Sequence, residues 1–266
     1  MRLLTLLFPF LMLFGCAHPD YPKVLDLRTP AEHDKAYTVA LVMPNDDDDG
    51  GGYYPACAGT WIGKTTILTA RHCIPDDPAT AMKDLTEQML EALGADVPPE
   101  LRTWTSVGPT GQLLHYVDYE TYREHGTEVV YVARVARVDE KHDLAILEAF
   151  GDLPEHESTR VSTARIHDGD QLDIVGHPSG LFFTYSTGVV SAWRPMSKAD
   201  PNCPCLQISS ATVWHGNSGG AAFDAHGQVV GVADEIYTSV PGAALFIHRD
   251  TLKAFVDAYY QSPDLP

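Results

Sequence analysis

Residues Trp214–Gly220 read WHGNSGG and place one serine between an asparagine and a pair of glycines. Glycine, asparagine and serine are the usual residues of turns, so the heptad taken alone fits an ordinary loop. Two other segments bear on its interpretation, namely TARHC at Thr69–Cys73 and HDLAIL at His142–Leu147. Together the three segments contain a histidine, an aspartate and a serine in that chain order.

Those three residue types are what nucleophilic attack by a serine requires. A serine hydroxyl is a weak nucleophile at neutral pH, and a neutral imidazole activates it by accepting its proton. A buried carboxylate fixes the tautomer of the imidazole and stabilises the imidazolium that forms during the reaction. The developing oxyanion needs unobstructed backbone N–H donors. Gly216 and Ser218 are placed to supply them.

The three segments resemble those of the chymotrypsin-like (trypsin-like) serine endopeptidases. TARHC is similar to the Thr-Ala-Ala-His-Cys segment of that family, HDLAIL to its aspartate segment, and GNSGG to its Gly-Asp-Ser-Gly-Gly segment. The resemblance spans about residues 36–260. It implies His72 as general base, Asp143 as its orienting partner and Ser218 as nucleophile, with Gly216 and Ser218 as oxyanion-hole donors.

Further segments resemble one bacterial part of the family. DIVGHPSG at 173–180 and ALFIHRDTLKAF at 244–255 are similar to the second barrel of the glutamyl-endopeptidase and DegP-like branches. Cys57 and Cys73 have the spacing of the family's disulfide at the histidine loop, and the resemblance implies that they are bonded. Closing a loop of that size is worth about 3 kcal/mol of stability.

Four positions describe the expected substrate pocket without fixing its specificity. Thr212 stands six residues before Ser218 and is not the aspartate of a trypsin-type pocket. Ala233 stands where glutamyl-specific members have a histidine. Asp234 either attracts a basic substrate side chain or lies in a solvated loop, and His215 is expected nearest to the substrate.

From residue 36 onward, short β-branched or alternating segments are bounded by Gly, Pro and Asp, which predicts about a dozen strands. Such spacing favours an all-β sandwich or barrels, and the resemblance implies a double six-stranded β-barrel. We predict a first barrel in 36–150, with a helical insertion near 77–95, and a second barrel in 151–266 that ends in a helix at Thr251–Tyr260. The clearest strand segments are 36–43, 65–70, 128–138, 143–150, 171–177, 188–193, 205–209 and 228–234, with weaker ones in CAGTWIG, LLHYVDYETY and AALFIH.

The N-terminus has the pattern of an export signal. Arg2 precedes the apolar run Leu3–Phe14, which is too short to span a membrane and suits a signal peptide. The following Gly15 and Cys16 resemble the lipobox of bacterial lipoproteins. We therefore expect a signal peptide at 1–15, a lipid anchor at Cys16 and a linker at 16–35, with an ordinary secretory signal as the alternative. Either predicts export, to the membrane surface or to the periplasm or medium.

Composition narrows the classes of partner. The 266 residues are 44% apolar, which suits a folded globular protein, and the formal net charge of −18 disfavours nucleic-acid binding. We interpret the run Asp46–Asp49 as a solvated loop, because its spacing differs from that of calcium loops. Cys203 and Cys205 lack the second paired cluster of a zinc site. A protein or peptide substrate is the expected partner, no metal or cofactor is expected, and the oligomeric state is left open.

The resulting hypothesis is a serine endopeptidase that hydrolyses peptide bonds through a His72–Asp143–Ser218 triad and an acyl-enzyme intermediate. Two alternatives belong to other classes. One is a catalytically silent binding protein on a protease scaffold at the cell envelope. The other is an esterase that uses the same triad, although GNSGG departs from the G-x-S-x-G spacing of the esterase nucleophile elbow.

Overall fold

The computed structural model describes residues 28–45, 52–75, 110–195 and 204–262. Outside these ranges lie the predicted signal peptide 1–15 with Cys16, the Asp46–Asp49 run, the predicted helical insertion near 77–95, and Cys203. No helix within the described ranges combines the length and the apolar character that a bilayer crossing requires.

Six antiparallel strands close a first barrel, in which β1 is followed around the barrel by β2, β3, β6, β5 and β4. Their alternating and β-branched residues point Trp61, Ile67 and Leu147 into a fully buried core. The strands are β1 (Thr38–Pro44), β2 (Tyr53–Trp61), β3 (Thr66–Ala70), β4 (Leu113–Asp118), β5 (Tyr131–Asp139) and β6 (Leu144–Ala149).

A second closed barrel is formed by six further antiparallel strands, in the order β10, β11, β12, β9, β8 and β7. Leu206, Val230 and Phe246 are fully buried in its core. The strands are β7 (Gln171–Gly176), β8 (Thr184–Pro195), β9 (Pro204–Ser209), β10 (Ala221–Phe223), β11 (Val229–Ile236) and β12 (Ala243–His248). The predicted double six-stranded barrel is therefore confirmed.

Apolar side chains also join the two barrels. Leu68 and Leu144 of the first barrel belong to one buried cluster with Val175 and Phe223 of the second. Full burial of such a side chain is worth about 1.5–3 kcal/mol. The cluster therefore favours a fixed arrangement of the two barrels, on which a site between them depends.

Within the described ranges, three α-helices accompany the barrels. Helix α1 (Pro30–Ala36) begins at a capping box of Thr29 and Glu32, a signal that lies within the expected linker 16–35. Helix α2 (Tyr119–His125) follows β4, and α3 (Arg249–Tyr260) is the predicted C-terminal helix, which is confirmed.

Two local differences from the predicted strands have physical causes. The sequence predicts a strand through LLHYVDYETY, whereas β4 ends at Asp118 and α2 begins there. The Asp118 carboxylate accepts hydrogen bonds from the N–H groups of Glu120 and Thr121, which is the pattern of a helix N-cap. The short strand β10 has three residues, too few for a periodic pattern.

Candidate active site

His72 and Asp143 meet because of the pairing between β3 and β6. Ala70 at the end of β3 is paired with Leu144 at the start of β6, so the residues just beyond this pair lie side by side. His72 sits in a short 3-10 turn after β3, and Asp143 directly precedes β6. The imidazole Nδ1 lies 2.5 Å from the Asp143 Oδ2, and the backbone N–H of His72 donates to Oδ1 at 2.9 Å.

Asp143 has a backbone conformation that few residues other than glycine adopt. Its φ of 51° lies in the left-handed region, which costs on the order of 1 kcal/mol or more and is enriched at functional sites. The carbonyl of Asp143 accepts the N–H of Arg71 at 2.9 Å, which fixes this conformation. The side chain of Asp143 is 17% exposed and that of His72 is 43% exposed. The Asp143 carboxylate is thus largely shielded from solvent, whereas the His72 imidazole is accessible to it.

Ser218 lies in the same cavity as His72. The cavity has a volume of about 610 Å³ and is lined by residues of both barrels, including Met43, His72, Trp214, Ser218 and Asp234. Within the part of the chain that the structure describes, no hydrogen bond joins the Ser218 hydroxyl to His72. The structure therefore brings together His72 and Asp143 directly, and Ser218 with them in one cavity.

The loop before Ser218 carries two backbone N–H groups without an acceptor among the described residues. The carbonyl of His215 accepts the N–H of Ser179 at 2.8 Å. Because the C=O and N–H groups of a trans peptide point in opposite directions, the N–H of Gly216 is directed away from Ser179. Within the described ranges, the amides of Gly216 and Ser218 have no acceptor, and both residues line the cavity.

Gly216 cannot be replaced by a larger residue without distortion. Its φ of 99° is strained for any other residue, and an added Cβ would overlap the carbonyl oxygen of His177. His177 is fully buried, accepts the N–H of Phe183 on Nδ1 at 2.9 Å, and lies 3.3 Å from the Val39 carbonyl through Nε2. The loop that carries Gly216 thus packs against His177, and His177 in turn contacts Val39 in β1 of the first barrel.

Charges around His72 favour its protonated form. Burial acts to lower the pKa of His72, but the hydrogen bond and negative charge of Asp143, together with the charge of Asp234, outweigh it. The pKa of His72 is therefore raised from its ordinary value. Burial, reinforced by the neighbouring Asp143, raises the pKa of Asp234 to about 7.

A disulfide joins Cys57 in β2 to Cys73, which follows His72. This is the pairing that the resemblance implies. The bond ties the turn that carries the imidazole to the neighbouring strand, and Cys73 lies 3.4 Å from the carbonyl oxygen of Ser218 through its sulfur.

The four expected pocket residues divide into two pairs. His215 and Asp234 line the cavity, whereas Thr212 is an exposed residue outside it and Ala233 is buried with its backbone bonded to Gly220. The cavity also includes residues that the sequence analysis missed. Ile236 lies two residues after Asp234 in β11, so its position near a candidate was a usable signal, but Met43 of β1 carries no signal of this kind.

Two closed six-stranded barrels, with a histidine–aspartate pair and a serine in a cavity between them, define the chymotrypsin-like class of fold. A profile of the trypsin-like peptidase domain matches residues 57–232, which is more than half of the chain. The chain belongs to this trypsin-like peptidase domain family.

Curated relatives carry the name "Probable periplasmic serine endoprotease DegP-like". The protein of Marinomonas sp. (strain MWYL1) is 29% identical over 171 residues, which are 57% of this chain and 34% of the relative. The protein of Brucella suis biovar 1 (strain 1330) is 34% identical over 145 residues, or 52% of this chain and 27% of the relative. The chain thus spans about a third or less of the length of these relatives.

Solved structures share the fold at low sequence identity. The HtrA-type protease AlgW with a decapeptide has a TM-score of 0.61 and 16% identity, over 87% of this chain and 66% of the other. The active form of the Rv3671c protease from M. tuberculosis has a TM-score of 0.58 and 15% identity, over 89% and 86% of the two chains.

Proposed function

We propose that this protein is a serine endopeptidase in which Ser218 is the nucleophile, His72 the general base and Asp143 the acid that orients His72. The observation that carries the proposal is the His72–Asp143 hydrogen bond of 2.5 Å beside a serine in the same cavity. Membership of the trypsin-like peptidase domain family and the names of the curated relatives support the same activity.

The mechanism follows from the hydrogen bonds of His72. Donation from Nδ1 to Asp143 leaves the unprotonated Nε2 free to accept the Ser218 proton as Oγ attacks the substrate carbonyl. The amides of Gly216 and Ser218 stabilise the oxyanion of the tetrahedral intermediate. His72 then protonates the leaving amine, and a water molecule hydrolyses the acyl-enzyme by the reverse sequence. No metal or cofactor is required in this scheme.

The experiment compares cleavage of an unfolded protein by the parent and by the Ser218→Ala and His72→Ala variants. Each variant should lose activity by about 10⁴-fold or more, because the triad acts as a unit. Ser191→Ala is the matched control, since Ser191 is an exposed serine on β8 outside the cavity. Undiminished cleavage by either triad variant would show that these roles are wrong.

A fluorophosphonate probe separates this proposal from the binding-protein alternative. Ser218 of the folded parent should be labelled, and Ser218→Ala should not. A folded parent that takes no label would favour a catalytically silent protein. Cleavage of small esters without cleavage of peptides would favour the esterase alternative.

The setting of the activity is also part of the proposal. We place the protein in the cell envelope, with a signal peptide at 1–15, a lipid anchor at Cys16 and protein or peptide substrates. Residues 36–150 and 151–266 are proposed as the two barrel domains. The periplasmic relatives support export, and the sequence of the lipobox supports the anchor. Cys16→Ala should release the protein from the membrane fraction, and an unchanged distribution would argue against lipidation.

A further inference from the structure

Asp234 occupies a β-bulge next to the serine loop. Ala233 is paired with Phe246 of β12 and Glu235 with Leu245, so Asp234 is the extra residue between these pairs. Bulges redirect side chains and are enriched beside active sites. The residue before the bulge is fixed to the serine loop on both sides, because Ala233 donates to the carbonyl of Gly220 at 2.8 Å and accepts the N–H of Gly219 at 2.9 Å.

The bulge directs the Asp234 carboxyl group to the other two acid–base groups of the cavity. One side-chain donor or acceptor atom from each of His72, Asp143 and Asp234 lies within 4.8 Å of the other two. The carboxyl groups of Asp143 and Asp234 are therefore neighbours in the cavity. Two neighbouring carboxyl groups form a hydrogen bond only when one of them carries a proton, because an ionised carboxylate is an acceptor only.

The surrounding charges indicate which acid holds the proton. Asp143 already accepts a hydrogen bond from His72 on each of its two carboxyl oxygens. Asp234 faces Asp143, Glu235 and His72, and of these His72 alone favours ionisation of Asp234. Arg71 is nearby, but its guanidinium donates to Glu140 at 2.6 Å and to the Ile74 carbonyl at 3.1 Å.

We propose that Asp234 is a positioning residue that keeps a proton and donates it in a hydrogen bond to Asp143, the acid that orients His72. The inference rests on the proposed roles of His72 and Asp143. A carboxylate offers about four lone-pair sites, so Asp143 can accept this third hydrogen bond together with the two from His72. Asp234 is then an internal support of the site and not a free anion for basic substrate side chains.

The arrangement makes the pH range of activity depend on Asp234. When Asp234 loses its proton, the support of Asp143 is lost and a second negative charge appears beside His72. That charge strengthens proton binding by the imidazole, which can act as a base only when it is neutral. The parent should therefore show a bell-shaped dependence of kcat/KM on pH, in which the two coupled ionisations of His72 and Asp234 form the two limbs.

The activity test compares pH profiles of kcat and kcat/KM for Asp234→Asn, Asp234→Ala and the parent. Asparagine keeps an N–H donor but cannot ionise, so the fall above neutral pH should disappear, whereas the acid limb, which His72 sets beside an uncharged residue 234 in both proteins, should not move to lower pH. Alanine removes the donor as well, and kcat at the optimum should fall about tenfold or more, since a hydrogen bond to a charged group is worth about that factor. The control Glu124→Gln removes an exposed negative charge outside the cavity and should leave the profile unchanged.

Two results would overturn the proposal. A profile of Asp234→Asn that superimposes on the parent profile would exclude a titrating support. Equal losses of kcat in the asparagine and alanine variants would exclude hydrogen-bond donation as its function. If the alanine variant does not fold, the shape-conserving asparagine variant still tests whether Asp234 titrates in the pH range of activity.

A second measurement is independent of turnover. The pKa of His72 is followed by NMR titration of its ring nitrogens in Ser218→Ala, with and without Asp234→Asn. The asparagine substitution should lower this pKa, and an unchanged pKa would refute the role of Asp234 whatever the nucleophile is. Conversely, full activity of Ser218→Ala would refute the proposed function and leave the NMR result valid.

Discussion

Asp34 of helix α1 should make the folded protein less stable as the pH rises through neutrality. Its side chain is buried, with 2% of the residue exposed, and its Oδ2 has no hydrogen-bond partner among the described residues. Burial, together with the negative charges of Asp173 and Asp224, raises the pKa of Asp34 from 3.8 to about 7. Asp173 lies in β7, against which α1 packs, and Asp224 follows β10.

The magnitude follows from proton linkage. Between about pH 4 and pH 7 the folded protein keeps a proton on Asp34 that the unfolded chain has released, so the stabilisation is full below pH 4 and is lost as the pH rises towards 7. The shift is about three units and each unit is worth about 1.4 kcal/mol, so the loss is about 4 kcal/mol. Asp34→Asn cannot ionise and should escape this loss.

Urea unfolding of the parent and of Asp34→Asn at pH 4.5 and pH 8, followed by tryptophan fluorescence, checks the prediction. The variant should gain about 3–4 kcal/mol relative to the parent between these two pH values. Comparing the difference at two pH values cancels any pH-independent effect of the new amide. Asp168→Asn is the control, because Asp168 is exposed in the turn before β7. An equal stability difference at both pH values would refute the assignment of the pH dependence to Asp34.

Three further predictions concern the site. Because the pKa of His72 is raised and the base must be neutral, kcat/KM should fall with decreasing pH at a midpoint above 6.5, and a midpoint below 6.5 would contradict the charge analysis. Replacing both Cys57 and Cys73 by serine should lower the free energy of unfolding by about 3 kcal/mol, and a reducing agent should then have no further effect on stability through this bond. Gly216→Ala should lower both stability, by about 1 kcal/mol or more, and kcat, by about 10²-fold, as measured by urea unfolding and peptide cleavage. Gly169→Ala is the control for Gly216→Ala, since φ at Gly169 is 93° but an added Cβ there would contact nothing.

Much of the fold was predictable because its signals are local. Strand β3, which precedes His72, is rich in β-branched residues, and β6, which follows Asp143, is a short apolar run, so both can be recognised from composition. The double barrel was implied by the family resemblance that the three candidate segments and the spacing of Cys57 and Cys73 carry. Helix α1 also has a local sequence signal, because Thr29 and Glu32 form a capping box within residues 16–35.

The unpredicted features depend on contacts between distant residues. The role proposed for Asp234 depends on the bulge in β11 and on Asp143, which is 91 positions away in the chain. No short sequence pattern reveals either relation. The same applies to Met43, which reaches the cavity because β1 pairs with β2. Ala233 shows the opposite case, because its backbone contacts with Gly219 and Gly220 bury it, although it stands where glutamyl-specific members of the resembled family have a pocket histidine.

The carbonyl group of Ser218 in the second barrel accepts the N–H of Ala58 in the first barrel at 2.8 Å. A denaturant that separates the two barrels must break this bond and move Ser218 away from His72, even where each barrel stays closed. Loss of proteolysis in rising denaturant should therefore precede loss of the β-sheet circular dichroism signal. A chain in which only one barrel has folded has no assembled site, so under the proposed function a partly folded molecule does not cleave its neighbours.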